Sequence, residues 1–307
     1  MAVRERRAFP LVPQRRLTGL SFGELPGRRR GHGSEVIGNR PYEPGDPVSA
    51  IDWYASARLS TATGGYEFVV RDTALDEAPR VVIVVDRRPA MGLYPKPLPW
   101  LGKRDALREA VTAIVVSAAN ARADLAALDL VAGKPWWLPP GRRDRPRLVL
   151  ERESDATPFD APDDSLERSL VFLARHRADL PSGTFVFVLS DFLVPVAAAA
   201  WHRAVGGGWD VVPVVIQDPV WERSFPAVGG VAVPVADPDG RPAGLVRLSR
   251  READRRRTDH ESRHARLIRE LAALGLQPVE LGTSEPASID RAFLEWAEQR
   301  RHHRWAR

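Results

Sequence analysis

Cysteine is absent from these 307 residues. That excludes a disulfide scaffold, thiol catalysis and cysteine-ligated zinc or iron–sulfur centres. Lysine is nearly absent too: Lys96, Lys103 and Lys134 are the only ones among 45 basic residues, and the rest are arginine. Such a skew reflects GC-rich codon usage more readily than arginine-specific recognition. No stretch approaches the roughly 18 consecutive apolar residues of a membrane span; the best candidate, LVPVAAAAW at 193–201, is far too short. The N-terminal MAVRERRAFPLVPQRRL is basic and lacks the apolar core of a signal peptide, so a soluble cytoplasmic protein is expected.

What is present is an ordinary globular composition with a formal charge of +5. The basic runs lie at the ends: RERR, QRR and GRRR before residue 31, and RRHHRWAR at the C-terminus. Aromatics do not interleave with them as on a base-stacking surface. Solvated tails are therefore expected over a nucleic-acid or acidic-lipid contact.

Along the chain, residues 1–30 read as a basic, loose arm, 31–78 as an extension and 79–307 as the main domain. In the extension, Pro44-Gly45 fits a type II turn. Asp46 suits an N-cap and Pro47 a first helical position, giving a helix over about 47–57. GYEFVV (65–70) reads as a strand. From residue 80 buried strands alternate with helices. The strands are VVIVVD (81–86), TFVFVLSD (184–191), WDVVPVVI (209–216) and QPVEL (277–281), with hairpins at 125–139 and 228–249. Helices are expected at 103–123, 145–153, 163–180, 197–208, 250–274 and 286–301. This alternation predicts an α/β fold with a doubly wound, mainly parallel sheet.

Two stretches carry a family likeness. RPYEPGDPVSAIDWYASAR (40–58) resembles the signature of the bacterial domain-of-unknown-function family 58, which runs roughly R-x-Y-x-P-G-D-x-V-R-x-I-D-W-x-x-S-A-R. Arg40, Tyr42, Pro44, Gly45, Asp46, Val48, Ile51, Asp52, Trp53, Ser56, Ala57 and Arg58 match in register, and Ser49 replaces an arginine. About thirty residues on, the family has an apolar strand ending in D-x-S-x-S-M. Here Asp86 and Met91 match, while Arg88 and Ala90 stand in place of both serines. The SDF at 190–192 also matches.

The resemblance implies a von Willebrand factor A-like domain with an N-terminal extension, acting beside a MoxR-type AAA+ ATPase in a chaperone or assembly role. In von Willebrand A domains the D-x-S-x-S loop and a second aspartate hold magnesium, which wants about six hard oxygen ligands. Asp86 and Asp191 remain, but the hydroxyls are gone and Arg88 brings a permanent cation. The expectation is that an ion pair replaces the ion, leaving Arg87 free to face a partner together with Asp86, Arg88, Ala90 and Asp191. Asp46, Asp52 and Arg58 are expected in a buried ion-pair network rather than on a partner-binding surface.

DHESRH (259–264) contains the zinc-protease pattern H-E-x-x-H. His260 and His264 lie one helical turn apart, with Glu261 placed as a general base. The surroundings are highly charged and no third ligand is near, so a polar helix face is expected instead of a zinc hydrolase. There is no G-x-S-x-G elbow, P-loop or Rossmann glycine fingerprint. Neither catalytic residues nor a cofactor are expected, and the chain reads as an interaction protein.

Overall fold

The structure is a computed structural model that describes residues 6–14, 36–42, 48, 51–65, 67–73, 79–93, 101–154, 156–236 and 242–305. The chain forms two compact units, one of residues 15–79 and one of residues 1–14 with 80–307.

In the smaller unit, β1 (Val36–Pro41) pairs antiparallel with β2 (Val69–Thr73). Between them runs helix α1 (Trp53–Thr63), six residues later than the sequence suggested. The cap explains the shift. Asp52 is extended and its Oδ1 accepts from the Ala55 amide at 3.0 Å, satisfying an otherwise orphaned first-turn donor. Gly64 closes the helix at φ 72°, a left-handed conformation that favours glycine. Gly45 and Asp46, the expected turn and cap, lie outside the described residues. Strand β1 was not anticipated, because VIGNRP shows no alternation; the expected strand at 65–70 begins at Val69.

The larger unit is built on a six-stranded sheet. Its strands are β3 (Arg80–Val85), β4 (Asp124–Val131), β5 (Lys134–Gly141), β6 (Phe185–Ser190), β7 (Asp210–Ile216) and, after a separate hairpin of β8 (Val231–Ala236) and β9 (Pro242–Leu248), β10 (Val279–Leu281). The order β10-β7-β6-β3-β4-β5 is parallel except for β5. This is the doubly wound, mainly parallel arrangement expected, with the reversal of strand order between β3 and β6. Three prolines confine β5 to an edge, where missing ladder donors do no harm. Its turn is Ala132-Gly133, both at positive φ (48° and 70°), matching the twist of a two-residue hairpin.

Helices cover both faces. These are α2 (Lys103–Asn120), α3 (Arg145–Arg152), α4 (Ser165–Arg175), α5 (Ala198–Gly206), α6 (Arg250–Ala273) and α7 (Pro286–Trp305). Alternation divides the strands between two cores. Val82, Val84, Val186 and Val188 pack with Leu170, Trp201 and Leu271 from α4, α5 and α6. On the other side Phe187 meets Phe293 and Trp296 of α7.

Residues 6–14 are no loose arm. Phe9 is 2 % exposed and stacks on Phe293 at 4.7 Å. Its amide donates to Ser117 Oγ at 3.0 Å, and the Gln14 amide to Asp210 Oδ2 at 2.8 Å. Arg300 Nη1 reaches the Val12 carbonyl at 3.1 Å and Asp210 at 2.9 Å. Apolar burial and paired backbone donors outweigh the basic composition that made this stretch look solvated. The remaining residues of 1–30 lie outside the described residues. In sequence, the smaller unit lies between two parts of the larger one.

Candidate functional site

Doubly wound sheets place ligands outside the carboxyl ends of the strands, where the strand order reverses. Here that point lies between β3 and β6, whose last residues lead into Asp86 and Asp191. Strand β3 ends at Val85, but the Asp86 amide still bonds the Leu189 carbonyl at 3.0 Å, which fixes its carboxylate beside β6. A 3-10 turn, Pro89–Gly92, then folds back and buries Met91 completely.

Arg88 spans the crevice. Its Nε lies 2.9 Å from Asp86 Oδ2, and its amide donates to Asp86 Oδ1 at 2.9 Å. Its Nη2 is the common neighbour of Asp86, of Ser190 Oγ at 3.0 Å and of Asp191 Oδ1 at 3.1 Å. The expected ion pair between Arg88 and both aspartates is thus present. Ser190 Oγ donates to Asp86 at 2.6 Å and accepts from the Phe192 amide at 2.9 Å. Phe192 takes φ 50°, a left-handed conformation that costs a bulky residue energy.

A second cation was missed by the sequence reading. Lys103, at the start of α2, is fully buried and donates to Asp191 Oδ2 at 2.8 Å and to the Ala90 carbonyl at 3.2 Å. It also pairs with Glu222. Burial alone pushes the Lys103 ammonium down, but Asp191 and Glu222 outweigh it and hold the pKa above the ordinary lysine value. Burial pushes Asp191 up, yet Lys103, Arg88 and the Leu193 amide hold its carboxyl below the ordinary aspartate value. Glu222 differs: burial dominates and raises it despite Lys103. Gln217 finishes the cluster, donating to the Asp191 carbonyl at 2.6 Å.

The residues present do not fit the divalent ion that the A-domain resemblance implies. The three oxygens that converge at the reversal point, from Asp86, Ser190 and Asp191, already share one guanidinium nitrogen, and an ammonium stands on Asp191's other oxygen. A divalent ion would have to displace two fixed cations.

Arg87 corrects an expectation. It is 1 % exposed, so it does not face a partner. Nε donates to Asp129 at 3.0 Å, and the terminal nitrogens form a fork on Glu153. Arg152 completes this second network with two 2.8 Å bonds to Asp129, and Phe159 lies 5.3 Å from the Arg87 guanidinium. Asp86, Arg88 and Asp191 are likewise buried, and only Ala90 of the expected partner-facing set is partly exposed. Alternating burial could not reveal this, because Asp129 lies inside β4 and Glu153 just beyond α3.

The signature residues of the smaller unit behave differently. Arg58, expected in a buried network, is exposed and lies 5.8 Å from the Tyr54 ring centroid. Trp53 is 59 % exposed, edge-on to Phe68 at 6.0 Å. Tyr42 also meets Phe68, and Arg40 lies in β1. A helix starting after Asp52 rather than Asp46 turns Trp53 and Arg58 outward.

His260 and His264 fall on α6, as expected, but pack against the 217–225 segment instead of forming a purely solvated face. His260 Nδ1 is 2.9 Å from the Ser224 carbonyl, and His264 Nδ1 is 2.9 Å from Gln217 Oε1. Glu261 accepts from Ser224 Oγ at 2.7 Å. Burial lowers both histidines' pKa values. His264 Nε2 lies 3.2 Å from Glu280, so both its nitrogens are engaged. Among the described residues no group of three or more His, Asp or Glu is placed to hold a metal. Protein purified without chelator should accordingly contain well under one zinc per chain by elemental analysis. Stoichiometric zinc that vanishes in His264→Ala would overturn this.

Uncharacterized proteins of Mycobacterium tuberculosis and Mycobacterium bovis are each 27 % identical over 242 residues, covering 78 % of this chain and 71 % of theirs. Among solved structures, the conserved hypothetical protein BatB from Bacteroides thetaiotaomicron is 15 % identical, with a TM-score of 0.44. An aerotolerance-related membrane protein from Bacteroides fragilis is also 15 % identical, with a TM-score of 0.45. Each match covers 72 % of this chain and 100 % of the solved one. The family described as "Protein of unknown function DUF58" matches residues 38–284, most of the chain, and this protein belongs to it.

Proposed function

We propose that this protein is a non-enzymatic interaction protein: a degenerate von Willebrand factor A-like domain that acts with a MoxR-type AAA+ ATPase in a chaperone or assembly role. One observation carries the reading. The point where a doubly wound sheet offers a ligand crevice is filled from within by Arg88 and Lys103, whose charges are spent on Asp86, Asp191 and Glu222. Chemistry there would need a free acid, base or metal, whereas surface recognition needs none of these. The family likeness set out above supports the ATPase as partner.

At this edge a partner meets the half-buried Pro89, Ala90 and Leu193, not the arginines beneath them. Recognition therefore does not require a metal. The chain should capture the MoxR-type ATPase of its own organism equally well untreated and after EDTA treatment followed by desalting, measured by surface-immobilised binding without nucleotide. Loss of capture after EDTA, or no capture at all, defeats the proposal.

A further inference from the structure

On the face of the sheet away from α7, a groove of about 570 Å³ opens between α5 and α6. One wall is Phe192, Val196 and Trp201; the other is Leu267, Leu271 and Leu274. The α6 wall has the spacing i, i+4, i+7, which puts the three leucines on one stripe. Arg263, Arg266 and Glu270 border that stripe in a parallel row. Arg263 is held in place by a 2.9 Å bond from Nη2 to the Glu222 carbonyl. Arg266 is exposed, 4.0 Å from Glu270.

We infer that this groove docks an amphipathic helix of a partner protein, with leucine-like anchors on one side and acidic residues on its flank. The apolar lining is of a size that recognition pockets have. The rim chooses the sign of the occupant. Two guanidinium groups face one carboxylate, on a helix whose sequence RREADRRRTDHESRHARLIRELAA carries eight arginines against five acids. The arrangement of the charges chooses the class. A linear row beside a linear apolar stripe is matched by a helix reading i, i+3, i+4 and i+7, whereas a compact small molecule would leave one end of the row unused.

The inference goes beyond the ATPase reading and shares with it only that the chain binds protein. Phe192 and Leu193 belong to both regions, since they follow Asp191 directly and line the groove. The rest of its lining comes from residues 195–201 and 263–274, away from Pro89 and Ala90.

The test is selection from a phage-displayed random 16-residue peptide library on the intact chain, followed by fluorescence polarisation with the selected peptides. Selected peptides should carry apolar residues at helical spacing and an excess of Asp and Glu. Ala198→Trp, at an exposed position lining the groove, should abolish their binding while leaving the urea midpoint unchanged. Arg266→Glu should weaken them severalfold at low salt, chiefly by slowing association, as loss of a rim charge does. Basic or uncharged selected peptides, binding untouched by Ala198→Trp, or a library that yields no binder would each overturn the inference. So would an apolar groove filled by a second copy, seen as a dimer in sedimentation that Ala198→Trp dissociates. If Ala198→Trp removes peptide binding but not ATPase capture, the groove stands independently of the ATPase reading. If capture fails in the unmodified chain while peptides still bind, only the ATPase reading falls.

Discussion

Asp191→Ala should cost the folded chain about 3–5 kcal/mol in urea denaturation, the usual consequence of leaving buried charge uncompensated. Both Arg88 and Lys103 contact this one carboxylate, and all three side chains are at most 3 % exposed. Asp191→Asn keeps the shape and should recover only part of the loss, because an amide cannot offset two cations. The pH dependence follows from the depressed Asp191 pKa. A carboxyl lowered on folding contributes stability that is complete above its unfolded value, about 3.9. That contribution is lost as pH falls through the folded value. The gap between the unmodified chain and Asp191→Asn should therefore narrow on acidification below about pH 4. A gap that widens there would show that Asp191 is not the depressed group. The same cluster sets an expectation for engineering. Arg88→Ser with Ala90→Ser restores the hydroxyl pair of the family loop, yet calorimetry should show no stoichiometric Mg²⁺ binding, since the Lys103 ammonium remains 2.8 Å from Asp191. Submillimolar binding by that double variant would mean that Lys103 yields its place.

The second large effect is expected at Arg87. Arg87→Met keeps the volume and leaves Glu153 buried without its forked partner, again at a cost of about 3–5 kcal/mol. Arg87→Glu adds a third carboxylate to Asp129 and Glu153 and should prevent folding, so it reports on stability and not on partner contact. The sign of the pH effect is opposite to that for Asp191. Burial already raises Glu153 even with Arg87 beside it, and removing the guanidinium raises it further. A carboxyl raised on folding binds its proton in the folded state first, so stability falls as pH climbs from the unfolded value towards the folded one. The Arg87→Met deficit should be smallest near pH 4–5, about where a free glutamate titrates, and grow towards neutrality. A deficit independent of pH would place the lost energy in packing against Phe159 instead.

Much of the fold was legible because burial writes itself into composition. VVIVVD and TFVFVLS are continuous apolar runs, and such runs flanked by helices fit only strands covered on both faces. The carboxylates that end them were legible for the same reason, as was the meeting of Arg88 with both. Lys103 was not. It opens a helix where charge is ordinary, and nothing in KRDALREAV distinguishes a lysine that runs inward from one that runs outward. Glu222 and Gln217 sit in a loop with no period at all, and their roles depend on β7 ending beside β6. Arg87 was misread because adjacent residues beyond a strand end point in different directions. Arg88 turns across to β6, while Arg87 turns towards β4, a division that only the strand order decides. In the smaller unit, reading Asp46 as the cap placed the helix early, because the side chain that caps it is Asp52, six residues later.

The strap around Phe9 has a consequence for how the chain is made. Val12 and Arg300, bonded at 3.1 Å, are 288 residues apart in sequence. During synthesis the strap leaves the ribosome long before the α7 surface that receives it, and residues 15–79 emerge as a unit of their own in between. Phe9 can meet Phe187 earlier, but it lacks its stacking partner and its second aromatic wall until Phe293 and Trp296 arrive. Loops closed over such distances are slow to form. The larger unit thus reaches its final core only once α7 has been made, and a nascent chain stalled before residue 286 should be far more sensitive to protease around Phe9 than one that includes α7.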